Sequence, residues 1–166
     1  MERLARLLDG VSRAVGAVTI WFALAMVLLR FVIVLLRYVF GYSSIFLNEG
    51  VLYLHASVFM LGAGYTLMVN GHVRVDIYYA RMTARGQAVI DLFGHVALLG
   101  ASLVMLLVYS WPSVQRSWAI LEGPISVGGI PASFLLKSLI PVFCVLLLLQ
   151  GCAAFLRDCL KLRSAA

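Results

Sequence analysis

The side chains able to do chemistry in this sequence are few and scattered: three histidines, three cysteines, and seven acidic residues against thirteen basic ones. His72, Arg74 and Asp76 alternate with Val73 and Val75. On an extended chain the three share one face; on a helix His72 and Asp76 meet at i and i+4. Either arrangement fixes a loop through charge-assisted hydrogen bonds. Asp91 and His95 repeat the i, i+4 spacing, but no serine, cysteine or lysine nucleophile is paired with them, so they read as a structural pair and not as a catalytic dyad. His55 and His95 lie on separate apolar segments, the minimum for axial haem ligation. They enter the membrane from opposite faces at unmatched depths, however, and no attachment motif accompanies them. Cys144, Cys152 and Cys159 form no CxxC pair and are odd in number, which fits small apolar residues of a helix better than a disulfide framework or a metal site. No catalytic residue, metal ligand or cofactor is expected.

Arg30, Arg37, Glu49 and His55 are harder to dismiss, because they interrupt long apolar runs. Arg37 is near enough to the end of its run to extend to the interface, whereas Arg30 is two turns, roughly 10 Å, deeper and needs a partner or water. If the first two helices form a symmetric hairpin, Arg37 is level with Glu49 and Arg30 with His55. These groups either line a substrate path or hold helices together and meet a partner's polar group. The second reading is favoured, since no further acidic group lies deep in either segment to run a proton relay.

The elements that position these residues are membrane helices. Of the 166 residues 63% are hydrophobic and 12% charged, with a mean hydropathy of +1.03. The apolar residues come in blocks of about twenty or more, the length that crosses a hydrocarbon core. Spans are expected over 15–40, 49–69, 88–112 and 134–156, within one all-α membrane domain covering residues 1–166. Residues 2–13 interleave charges with Leu4, Leu7, Leu8 and Val11, the pattern of a short interfacial amphipathic helix. The apolar run behind them lacks a cleavage site and reads as a retained span. Gly123-Pro124, Gly128-Gly129 and Pro131 mark 113–133 as a structured extramembrane loop. Gly62, Gly64, Gly94 and Gly100 offer close helix approaches. The net charge of +6 reflects Arg3, Arg6 and Arg13 before the first span, Arg74, Arg81 and Arg85 between the second and third, and Arg157, Lys161 and Arg163 after the fourth. This bias places both termini in the cytoplasm and speaks for membrane orientation rather than nucleic-acid binding.

Several short pieces, in order along nearly the whole chain, resemble the small (Q-type) membrane subunit of a tripartite ATP-independent periplasmic (TRAP) transporter. They are Leu36-Arg-Tyr-Val-Phe40, Asn48-Glu-Gly50, His55 with Phe59-Met-Leu-Gly-Ala63, and Gly71-His-Val-Arg-Val-Asp76. The C-terminal part adds Glu122-Gly123, Gly128-Gly-Ile-Pro131, Lys137-Ser-Leu-Ile-Pro141 and Leu149-Gln-Gly151. These last pieces resemble the branch labelled mannitol or chloroaromatic transport. The resemblance implies a multi-pass protein of the bacterial inner membrane, without enzymatic activity. Its implied partners are a large multi-helix (M-type) subunit, a periplasmic substrate-binding protein and membrane lipid. Together these import an organic acid, driven by sodium. Arg37, Glu49, His72, Arg74 and Asp76 would then serve structure or interface, and the Glu122–Pro131 loop external docking. The competing expectation is a self-sufficient small transporter acting as a homo-oligomer.

Overall fold

The computed structural model describes residues 2–69, 71 and 82–164, whose regular structure is entirely helical. Helix α1 (Glu2–Phe40) is followed by α2 (Ile45–Met68), α3 (Ala84–Phe93), a π-helical stretch (Gly94–Gly100), α4 (Ala101–Ala119) and α5 (Ser133–Ser164). Since α3, the π stretch and α4 run on without a break, the described residues hold four helices long and apolar enough to cross a membrane. They are Arg6–Phe40, Ile45–Met68, Val89–Ala119 and Ser133–Cys159. The protein is an all-α, four-span membrane bundle.

Local signals set the helix ends. After α1 the chain reverses at Gly41, whose φ of +66° favours glycine, and the Tyr42 N–H returns to the Leu36 carbonyl at 3.0 Å. Ser44 caps α2 by accepting from the Leu47 N–H at 3.4 Å, and Thr83 caps α3 by accepting from the Gly86 N–H at 3.3 Å. The third span passes through Pro112 and continues to Ala119, burying Val114 and Ser117 in that extra length. The connector before α5 is therefore 120–132, shorter than the 113–133 expected from the sequence.

No separate interfacial helix precedes the first span. Residues 2–13 are continuous with it, because Ser12 and Gly16 are buried against other helices and Asp9 pairs with Arg157 of α5. That pairing also puts the start of α1 and the end of α5 at one end of the bundle, called here the terminal end. Residues 41–44 and 120–132 lie at the opposite, connector end.

Helix α5 is the hub. It packs on α1, α2, α3, the π stretch and α4, whereas α4 has no comparable packing with α1 or α2. The compact centre is small: Leu103, Cys144 and Leu147, surrounded by partly buried neighbours such as Leu99 and Phe143. Most apolar side chains point outward, as they do where lipid or another membrane helix replaces water. Close approach holds the helices together. A Cβ on Gly16 would lie 2.7 Å from the Tyr65 ring, and one on Gly151 would lie 2.9 Å from Leu99 Cδ2. Gly62 and Gly64 also sit at contacts, on Thr19 and Leu146 respectively, whereas Gly94 has open space where its side chain would be.

Candidate functional site: a clamped connector and an exposed polar face

Glu49 lies just past the first turn of α2 and is only 6% exposed. Its Oε1 accepts from the Ser126 N–H at 3.0 Å and its Oε2 from the Ile130 N–H at 2.7 Å. One carboxylate from the second span thus holds two amides of the connector between the third and fourth. Between those amides the chain makes a β-turn, closed by the Gly129 N–H on the Ser126 carbonyl at 2.9 Å. Gly128 takes the left-handed conformation there, with φ +84°. Gly129 has a different reason to be glycine: a Cβ would stand 2.2 Å from both Glu49 oxygens. Hydrogen bonds to a charged acceptor are worth about 1.5–3 kcal/mol each, so the clamp holds the turn in one shape.

A second carboxylate anchors the start of the same connector. Glu122 Oε2 accepts from Lys137 Nζ and from Ser117 Oγ, bridging the ends of α4 and α5. The hydrogen bond from Lys137, then that from Ser117, holds its carboxyl below the usual range despite some desolvation. Ser133 Oγ donates to the Gly123 carbonyl at 2.5 Å. Trp118 donates Nε1–H to Ser138 Oγ at 2.7 Å and meets Phe134 edge-on, with ring centroids 4.7 Å apart. The connector is therefore braced from three helices.

The other intramembrane polar groups are arranged differently from a symmetric hairpin. Arg37 does not pair with Glu49, whose oxygens are taken by the connector. Arg30 does not meet His55; its Nη1 donates to Asn48 Oδ1 at 3.4 Å, and Asn48 Nδ2 donates to the Ser44 carbonyl at 2.8 Å. The cause is helix register. Gly16 is set against Tyr65, Thr19 against Gly62 and Leu29 against Gly50, so small residues shift α2 by about five residues, roughly 7 Å, from the symmetric alignment. Arg30, Arg37, Asn48 and His55 all remain on the exposed surface of the chain.

The terminal end carries a network not anticipated from sequence. Ser12 Oγ donates to Gln150 Oε1 at 2.6 Å, and Gln150 Nε2 donates to Asp9 Oδ1 at 2.9 Å. Arg157 Nη1 reaches both Asp9 oxygens, at 2.8 and 2.7 Å. The one available signal was Gln150 itself, a fully buried amide in an apolar run. His95 Nδ1 lies 3.6 Å from Asp158 Oδ2 on α5. Asp91 lies on α3 and His95 in the π stretch that follows it. His55 and His95 have no common surroundings, the first being exposed on α2 and the second packed by α5. His72, Arg74 and Asp76 lie outside the described residues.

Between α4 and α5, toward the connector end, runs a groove of about 1270 Å³ lined by residues such as Leu107, Trp111, Pro141 and Val142. No charged side chain lines it, so it suits an acyl chain or apolar side chains and not an organic anion. Cys144 is buried, Cys152 exposed and Cys159 intermediate; all three are free thiols. Among the described residues no three histidine, cysteine, aspartate or glutamate side chains gather as a metal site.

Residues 26–161 match the family model described as tripartite ATP-independent periplasmic transporters, DctQ component. No curated protein matches the chain.

Proposed function

Because the chain belongs to the DctQ-component family of tripartite ATP-independent periplasmic transporters, we propose that it is the small scaffold subunit of a sodium-coupled importer of an organic acid. As a member of that family it is a multi-pass inner-membrane protein and a non-catalytic component of a transporter. Components of this kind typically work beside a large M-type subunit and a periplasmic substrate-binding protein. In this reading the large subunit moves the substrate, and the present chain stabilises it and contributes to the surface on which the binding protein docks.

The observation that carries the scaffold role is the continuity of the spans. Among the described residues each is an unbroken helix, including the third with its π stretch and Pro112. Sodium-coupled carriers bind substrate and ion at the ends of broken helices near the membrane midplane, where backbone groups are free to coordinate. These helices offer no such ends. The docking role is supported by the connector, since a loop held by two carboxylates presents a pre-shaped surface at low entropic cost. The basic residues around the termini support placing the terminal end in the cytoplasm and the connector end in the periplasm. The likeness of the C-terminal pieces to the mannitol or chloroaromatic branch bears on lineage; the choice of acid rests with the large subunit and binding protein.

Reconstitution tests the proposal. Vesicles containing the large subunit, this chain and the binding protein are expected to accumulate an organic acid under an inward sodium gradient. Vesicles with this chain alone should not. Uptake by this chain alone would overturn the scaffold role in favour of a self-sufficient homo-oligomer.

A further inference from the structure

Membrane helices that face lipid present apolar side chains, because an ionisable or strongly polar group in hydrocarbon is costly unless it is paired. The two outward faces of this bundle differ sharply by that criterion. On the α4 side the exposed surface includes Val104, Met105 and Val108, exposed Ser102 is satisfied within its own helix by the Leu98 carbonyl, and the exposed polar residues Gln115 and Arg116 come only in the last turns at the connector end. On the α1–α2 side the exposed residues of α2 at helical spacing are Asn48, Leu52, His55 and Phe59. Those of α1 on the matching stripe are Val27, Arg30, Val34 and Arg37. The two stripes are joined by the Arg30–Asn48 hydrogen bond.

This face is left unsatisfied by the chain itself. A guanidinium has five N–H donors and no acceptor; that of Arg30 spends one on a long, 3.4 Å bond to Asn48. His55 sits near the middle of the span Ile45–Met68, seven residues further from the connector end than Asn48, or about 10 Å. That is too deep for lipid headgroups or water to serve it. Because α5 separates α1 and α2 from α4, the polar and apolar faces lie on different sides of the hub.

We propose that the α1–α2 face centred on Arg30, Asn48 and His55 is the seat of a membrane helix of the large transport subunit, which presents a carboxylate to Arg30. The inference rests on the scaffold reading above and adds to it the face used and the chemistry of the partner. Charge complementarity selects the occupant. Arg30 calls for an anionic acceptor beside Asn48, and Leu52 and Phe59, flanking His55 toward the midplane, supply the apolar contact that excludes lipid around it.

The test is site-specific photo-crosslinking with p-benzoylphenylalanine in the complete protein in its native membrane, at Leu52 or Phe59 and, as controls, at Val104 or Val108. Adducts from Leu52 and Phe59 are expected on a membrane span of the large polytopic subunit, on a peptide carrying Asp or Glu within a turn or two of the linked site. Val104 and Val108 should give none. Arg30→Glu should lower the large subunit recovered with the chain by about tenfold or more, and Lys in place of the mapped partner carboxylate should restore it. Where Arg30→Glu does not insert, Arg30→Gln supplies the weaker variant, and crosslinking at Leu52 leaves Arg30 untouched. Adducts confined to Val104 and Val108 would overturn the inference while leaving the scaffold reading intact. So would adducts at Leu52 and Phe59 only to a second copy or to phospholipid. Failure of the unmodified chain to recover any large subunit would remove the scaffold reading and the inference together.

Discussion

Replacing Glu49 should loosen a loop whose own residues are unchanged. In Glu49→Ala the Ser126 and Ile130 amides lose acceptors at 3.0 and 2.7 Å from a side chain that is 6% exposed. Each such bond contributes about 1.5–3 kcal/mol, and water admitted to the vacated site offsets part of that, leaving a net loss of about 2–4 kcal/mol. At 1.4 kcal/mol per tenfold this shifts the open–closed equilibrium of the turn by roughly 30- to 700-fold. Glu49→Gln keeps one carbonyl acceptor but turns an NH2 toward the other amide, so it should fall between Ala and the native residue. Hydrogen exchange at the Ser126 and Ile130 amides, followed by mass spectrometry on the protein in lipid nanodiscs, reads that equilibrium directly. A double-mutant cycle adds a second arm. Gly129→Ala alone forces a methyl group to within 2.2 Å of the Glu49 oxygens, and its cost should shrink once Glu49 is Ala. Unchanged exchange at both amides in a folded Glu49→Ala protein would refute the clamp.

Three other outcomes are expected. Glu122 is held below its ordinary value of 4.5 by Lys137 and Ser117, so its bracing of the connector is complete above that value and is lost as pH falls through the lowered one. Protease sensitivity within 120–132 should rise on acidification in that window, and Lys137→Met should flatten the pH dependence. Gly16→Leu should destabilise the bundle by several kcal/mol, because even a Cβ meets the Tyr65 ring at 2.7 Å; thermal unfolding in detergent measures this, and Tyr65→Ala should recover part of the loss. Asp9→Ala leaves the buried Gln150 amide and the Arg157 guanidinium without their shared acceptor, for about 2–4 kcal/mol, and a cycle with Arg157→Ala should be strongly non-additive in the same unfolding assay.

The spans were legible because a membrane imposes one rule, about twenty apolar residues per crossing, that a single sequence displays openly. The connector was legible as a structured loop from Gly123-Pro124, Gly128-Gly129 and Pro131. Its fastening was not. The groups that meet Glu49 are backbone amides 77 and 81 residues away, and an amide carries no side-chain signature. Arg30 was recognisable as a residue needing a partner, but the choice of Asn48 over His55 depends on helix register. Register is decided by contacts such as Gly16 on Tyr65 and Leu29 on Gly50, which no periodicity encodes. Asp9 looked like one charge of a surface helix; its role appears only when α5 brings Gln150 and Arg157 to it.

Whether this bundle is one part of a larger transporter is tested by gentle detergent extraction of the tagged protein from its own membrane, followed by native mass spectrometry of what stays bound. A stable complex with a large polytopic membrane subunit, at a fixed ratio of the two chains, is the predicted result. A homo-oligomer free of any larger membrane protein, recovered under conditions that preserve transport, would contradict it.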